Sequence, residues 1–220
     1  MTTTLKIDFV SDISCPWCAI GLAALEQALA QTSDVLSAEL HFQPFELNPK
    51  MLPGGQDIAE HLTQKYGSTP EQQAQIRATI AQRGQDVGFS FNPAGRGRIY
   101  STFDAHRLLH WAGLEVGGKQ IVLKKALLAA CHSQGQSVES HAVLLDAVAR
   151  SGLDRARAQA ILESDEYAAA VRERESFYTR HGINSVPAVI INERHLISGG
   201  QPVAVFEQAL RQIAAEQVEA

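Results

Sequence analysis

The chain has 220 residues, 45% of them hydrophobic, enough to bury the core of one large domain or two small ones. A formal charge of -5 excludes a general nucleic-acid binder, which would carry a basic stripe, and three cysteines are too few for a disulfide-stapled secreted scaffold. The opening "MTTTLKIDFVSD" shows no basic-then-apolar leader, and no run approaches the roughly 18 apolar residues of a membrane span. The expectation is a cytoplasmic protein that binds neither membrane nor nucleic acid.

Leu5, Ile7 and Phe9 alternate with polar residues ahead of Val10, the pattern of a strand entering a core. Behind the segment "SDISCPWCAIG", the run "AIGLAALEQALAQ" spaces its apolar residues at helical intervals. "LSAELHFQPFEL" then reads as a second strand, ended by Asn48-Pro49 and "LPGG". Strand, cysteine turn, helix and strand make a βαβ unit. From about Gln56 to Arg180 no convincing strand is found. Thr69, Pro70 and Gln72 spell a capping box, and Ser101 with Asp104 marks another helix start leading into "FDAHRLLHWAG". Further helices run through "KQIVLKKALLAACHS", "ESHAVLLDAVAR", "DRARAQAILES" and "DEYAAAVRERESFYTR", with "GFSFNPAGRGRIY" as the longest irregular stretch. Strand signals return in "VPAVIIN" and "HLIS", close enough for a hairpin, and an amphipathic helix follows from Pro202, with Val203, Phe206, Leu210 and Ile213 on one face.

The chemistry centres on Cys15 and Cys18. With Cys15 at the helix N-cap, Pro16 falls at the first helical position, where its missing N–H costs nothing. The Cys15 sulfur then faces the free N–H groups of Trp17 and Cys18 and the positive end of the helix dipole, which favour thiolate over thiol. Cys18, one turn in, is shielded and can attack a mixed disulfide on Cys15. A zinc site would need more ligands than Cys131 and scattered histidines offer, although His106 and His110 are four apart on one helix. No metal is expected.

In this order, "SDISCPWCAIG", "HFQPFELNP", "TFDAHRLLHWA", "SVPAVIIN" and "ISGGQP" resemble the FrnE-type branch of the DsbA family of thiol–disulfide oxidoreductases, over nearly the whole chain. The resemblance implies an α/β thioredoxin fold with a large inserted all-helical domain. The division is residues 1–55 and 166–220 for the thioredoxin-like part and 56–165 for the insert, which closes over the cysteines. It also implies that Pro187 is cis and faces the cysteines, with backbone near Val186 free to pair with an extended substrate. Cys15 and Cys18 are then the catalytic pair, and Pro16, Trp17, Val186 and Pro187 shape the substrate groove. The dithiol itself cycles, so no metal or organic cofactor is needed. Expected partners are protein or small-molecule thiols and disulfides, with glutathione as a candidate co-substrate. Two positions depart from the family pattern: Gly200 stands where Ala is common, and Ser101 where Asn is frequent.

The remaining candidates divide between packing and contact. Trp17 reads as an exposed ring serving substrate, with core packing as the alternative, and Phe45 and Leu47 as core, with the wall of an apolar substrate groove as the alternative. His106, Arg107 and His110 read by default as surface residues of their helix, with a role at the site as the alternative. Arg96 and Arg98 read as solvated loop charges, with carboxylate binding as the alternative, and Cys131 reads as a packed thiol on an apolar helix face. A rival reading is a glutathione-dependent isomerase or transferase of the kappa-class or hydroxychromene-carboxylate isomerase type, relatives that generally carry Ser at the position of Cys15. A third is a non-catalytic module docking extended peptides at the Pro187 edge.

Overall fold

The computed structural model describes residues 3–218. A four-stranded sheet in the order β2-β1-β5-β6 is built from β1 (Thr3–Ser11), β2 (Leu36–Pro44), β5 (Ala188–Ile191) and β6 (His195–Ser198). β1 and β2 are parallel, with Phe9 opposite Phe42, and the crossover between them is α1 (Pro16–Gln31). β5 runs antiparallel to β1 and β6 antiparallel to β5. α9 (Val203–Val218) closes the unit by packing on α1.

The central strand explains why two layers cover the sheet. Successive side chains of a strand point to opposite faces. Leu5, Ile7 and Phe9 meet the core under α1 and α9, whereas Val10 lies on the other face with Tyr178, Ile183 and Ala188. Tyr178 belongs to α8 (Ala168–Arg180). α1 is buried nearly all round, from Cys18 through Ala28, as its Ala/Leu composition requires.

Between β2 and β5 the chain forms α2 (Ile58–Tyr66), α3 (Pro70–Asp86), α4 (Phe103–Leu114), α5 (Lys119–Leu128), α6 (His141–Arg150), α7 (Arg155–Leu162) and then α8. A wider π turn, Ala129–Ser133, continues α5. The Thr69–Gln72 capping box forms as its spacing predicts. One cluster of buried side chains runs from Leu5 and Phe9 of the sheet through Leu108, Leu127 and Leu144 to Leu162. These helices therefore share a hydrophobic core with the sheet.

Three expectations are corrected. The stretch expected to lack strands holds a two-residue ladder, β3 (Gln56–Asp57) against β4 (Arg98–Ile99), outside the central sheet. Its signal is a close approach, not a periodicity: Gly55 has φ of +64°, and a Cβ there would sit 2.1 Å from the Ile99 carbonyl oxygen. The second strand ends at Pro44, three residues early, because the Leu47 N–H is taken by a carboxylate of the cysteine turn. Finally, α4 starts one residue later than the Ser101 signal. Thr102 occupies its N-cap position, and the Thr102 hydroxyl donates to Asp12 instead of capping the helix.

Candidate active site

The site forms where β1 turns into α1. Cys15 is the N-cap residue, with extended backbone (φ −88°, ψ 115°), and Pro16 is the first helical residue. The turn is closed by the Cys15 N–H donating to the Asp12 carbonyl (3.2 Å) and the Cys18 N–H donating to the Cys15 carbonyl (3.1 Å). All three cysteines are free thiols, and all are buried.

Their surroundings make the first two unlike. The Cys18 thiol donating to it, helped by the backbone N–H groups of Cys18 and Trp17, holds Cys15 below the usual thiol range despite burial and the nearby Asp12 charge. Burial pushes the Cys18 thiol well up, reinforced by the Cys15 sulfur and opposed by Lys124. Cys131 is raised by burial, partly offset by Arg96.

On the sheet side the turn meets the chain ahead of β5. The Val186–Pro187 peptide bond is cis, and the Cys15 thiol lies 3.5 Å from the Val186 carbonyl oxygen, to which it donates. The Pro187 carbonyl accepts from the Gly199 N–H at 2.8 Å. Gly21 and Gly200 let these segments come together. A Cβ on Gly21 would lie 3.0 Å from the Pro187 ring, and one on Gly200 would lie 2.9 Å from the Trp17 carbonyl oxygen. Glycine at position 200, the departure noted above, thus has a steric reason. Trp17 is half-buried and packs on the core, so its side chain is less exposed than expected.

On the opposite side the inserted helices and loops grip the turn with polar groups. Asp12, 1% exposed, accepts from the Leu47 N–H (2.7 Å), the Ser14 N–H (3.0 Å) and the Thr102 hydroxyl (2.8 Å), with His106 Nε2 3.6 Å away. Burial alone would raise this carboxyl, but His106 and the amides of Leu47 and Ser14 outweigh it and hold it low. His132 Nε2 lies 2.9 Å from the Ile13 carbonyl oxygen. Burial, with the Arg96 charge, keeps its imidazole neutral, so this nitrogen carries the proton and donates. Arg96 donates to the Ser14 carbonyl (2.7 Å) and to the Cys131 sulfur (3.3 Å). Each carbonyl between Asp12 and Cys15 thereby gains a donor from elsewhere in the chain, as a buried loop demands.

The structure sorts the other candidates. Of the α4 residues, His106 faces the turn. Arg107 faces away and holds the carbonyls of Ile161, Ser164 and Glu166, while His110 packs against the Tyr167 ring at 5.1 Å. Arg96 is a half-buried anchor of the cysteine turn and not a solvated loop charge, because the chain folds back to bring it under Ser14. Arg98 is exposed and bonds the carbonyls of Gly54 and Gly55. Phe45 and Leu47 are half-buried against the two core clusters, and Ser101 bonds locally to the Phe103 N–H. Sequence reasoning missed Asp12, Thr102, His132 and Lys124. Asp12 alone carried a local signal, an acid three residues ahead of the N-cap cysteine. The other three lie about 90 to 120 residues away in sequence, and nothing local marks them.

Comparison with known proteins agrees with this geometry. A family profile for the DSBA-like thioredoxin domain matches residues 6–211. YwbO, an uncharacterized protein of Bacillus subtilis, is 26% identical over 208 residues, covering 94% of this chain and 96% of that protein. The crystal structure of SCO1869 from Streptomyces coelicolor, a "probable DsbA oxidoreductase", superposes with a TM-score of 0.87 at 32% identity, covering 94% of this chain and 89% of that one. The cytosolic disulfide reductase DsbM of Pseudomonas aeruginosa, solved with GSH, shares the fold at a TM-score of 0.61 and 18% identity, over 94% of this chain and 99% of that one.

Proposed function

The chain belongs to the DsbA-like thioredoxin family, and on that premise we propose that it is a thiol–disulfide oxidoreductase whose exchanging pair is Cys15 and Cys18. The observation that carries this reading is their placement, Cys15 at the N-cap of α1 and Cys18 one turn deeper and fully buried, which lowers the first thiol and raises the second. A nucleophile must be thiolate near neutral pH, whereas a resolving thiol must stay protonated until the mixed disulfide exists.

The steps balance without any other redox group. The Cys15 thiolate attacks one sulfur of a substrate disulfide, the S–S bond breaks, and one substrate thiolate departs with the electron pair. Cys18, once deprotonated, attacks the Cys15 sulfur of the mixed disulfide and expels the second thiolate. Two electrons have passed from the dithiol to the substrate, and a Cys15–Cys18 disulfide remains. An external thiol reverses the sequence. On this reading neither metal nor organic cofactor is required.

Pro16, Trp17, Val186 and Pro187 border Cys15, and among the described residues the Val186 N–H donates to nothing. An extended substrate pairing there would do so by strand addition. Partners are protein or small-molecule thiols. Glutathione is the small thiol we favour, a choice supported by the fold neighbour crystallised with it. The five motifs quoted above support the FrnE-type branch, and a cytoplasmic location is part of the same proposal. Among the described residues no helix is long and apolar enough to cross a membrane.

The test is competitive alkylation with limiting iodoacetamide, followed by peptide mapping, together with turnover of a model disulfide by wild type and Cys15→Ser. Cys15 is expected to alkylate first, and Cys15→Ser to lose turnover. First labelling of Cys18 or Cys131, or full turnover by Cys15→Ser, would refute the assignment. Glutathione-dependent isomerisation without disulfide turnover would instead favour the isomerase reading.

A further inference from the structure

Lys124 has no place in the exchange steps as written, yet it is fully buried in α5 and its Nζ has no hydrogen-bond partner among the described residues. Removing an ammonium from water without pairing it costs several kcal/mol, and an apolar side chain of the same length would pack as well. A lysine in such a place calls for an anion. The aromatic ring of Phe42, 5.9 Å from Nζ, offers only a weak cation–π contact.

The surrounding groups leave few anions to choose from. Lys124 lines a cavity of about 160 Å³ with His41, His106, His110 and Arg174, and no carboxylate lines it. Burial keeps His132, which feels the Lys124 charge, neutral. That leaves Asp12 and the sulfurs of Cys15 and Cys18, whose charges all act on the lysine. Asp12 already accepts three hydrogen bonds and faces His106. Cys15 finds its own stabilisation at the helix N-terminus. Cys18 is fully buried in the core cluster that also holds Leu123 and Leu127, the α5 residues on either side of Lys124, and its thiolate lacks these supports.

We propose that Lys124 is a positioning residue that supplies the counter-charge for the Cys18 thiolate during the resolving step. The inference rests on the exchange reading above. As the mixed disulfide forms, Cys18 must give up its proton inside the core, and the ammonium offsets the charge this leaves on sulfur. The thiolate then forms the S–S bond to Cys15. The Cys15–substrate S–S bond breaks, and the proton shed by Cys18 ends on the departing thiolate or in water. Burial sets the working range: it lowers Lys124 to about 8, against the pull of Cys18, Asp12 and Cys15, so the counter-charge is present at neutral pH and fades in mild alkali.

The experiment uses the full chain with Lys124→Met, which keeps length, and Lys124→Gln, which keeps polarity. In a Cys15→Ser background, the rate of Cys18 alkylation is followed from neutral pH into mild alkali. Both substitutions should slow it several-fold where Lys124 is charged, and the gap to the parent should close in alkali. In the dithiol protein, release of a reporter thiol from a preformed Cys15 mixed disulfide should slow by about tenfold below pH 8, the gap to wild type closing as pH rises further. An unchanged Cys18 alkylation rate at neutral pH, or a slowing by the same factor at every pH, would mark Lys124 as mere packing and overturn the inference. Failure of both variants to fold would overturn it too, because removing an unpaired buried charge should not cost stability. The alkylation needs no disulfide substrate, so a wild type without exchange activity would sink the exchange reading and leave the electrostatic coupling separately measurable.

Discussion

The two sides of the cysteine turn are built from different forces. Toward the sheet, Gly21, Pro187, Gly200 and Trp17 approach one another closely, and shape fixes where the Cys15 sulfur lies. Toward the inserted helices, Asp12, Thr102, His106, Arg96 and His132 hold the turn through charge and hydrogen bonds. The first side sets distance and the second sets electrostatics. Tight packing is a short-range constraint that a single atom can violate. A buried polar network instead fails when one partner is removed and the others are left unpaired.

That contrast breaks most sharply at Asp12. Asp12→Ala strands the N–H groups of Leu47 and Ser14 and the Thr102 hydroxyl, and should cost about 3–5 kcal/mol in urea denaturation. The pH response follows from the sign of its shift. Its folded-state pKa is depressed, so its contribution is present above the ordinary aspartate range and is lost as pH falls through and below that range. Acid unfolding curves should therefore show a drop below about pH 4 that is shallower in Asp12→Asn. A variant as stable as wild type would remove the polar side from the account.

A smaller effect is expected from Gly200→Ala. The added methyl would press on the Trp17 carbonyl, which is backbone and cannot rotate away, at an expected cost of about 1–3 kcal/mol. Thermal unfolding decides it. An unchanged midpoint would mean that the sheet side can relax. Smallest is Arg96→Met, which takes one charged donor from the Ser14 carbonyl and one contact from Cys131 at about 1–2 kcal/mol. Arg96 lowers the Cys131 thiol, so the same substitution should slow Cys131 alkylation in mildly denaturing buffer. Faster labelling of Cys131 would instead show that Arg96 acts as a cover.

Much of this architecture was legible because it is local. Alternation in Leu5, Ile7 and Phe9 announces the central strand, and Cys15 followed by Pro16 announces a helix N-cap. Thr69 with Gln72 announces a helix start, and each forms as its spacing implies. The readings that failed depended on distant partners. Ser101 and Thr102 are equally good caps in isolation, and only the carboxylate of Asp12, ninety residues earlier, draws the Thr102 hydroxyl away. Arg96 looks like a loop charge until the chain brings it under Ser14.

By itself the sequence determined the order of the main elements, the family resemblance and the placing of Cys15 and Cys18 at a helix start, because hydrophobic period and helix capping act within a few residues. The tertiary structure alone decided which polar groups of the inserted segment reach the cysteine turn, and that Lys124 is buried with no hydrogen-bond partner among the described residues. Burial and charge act through space, and space is filled by residues that no local spacing in the chain connects.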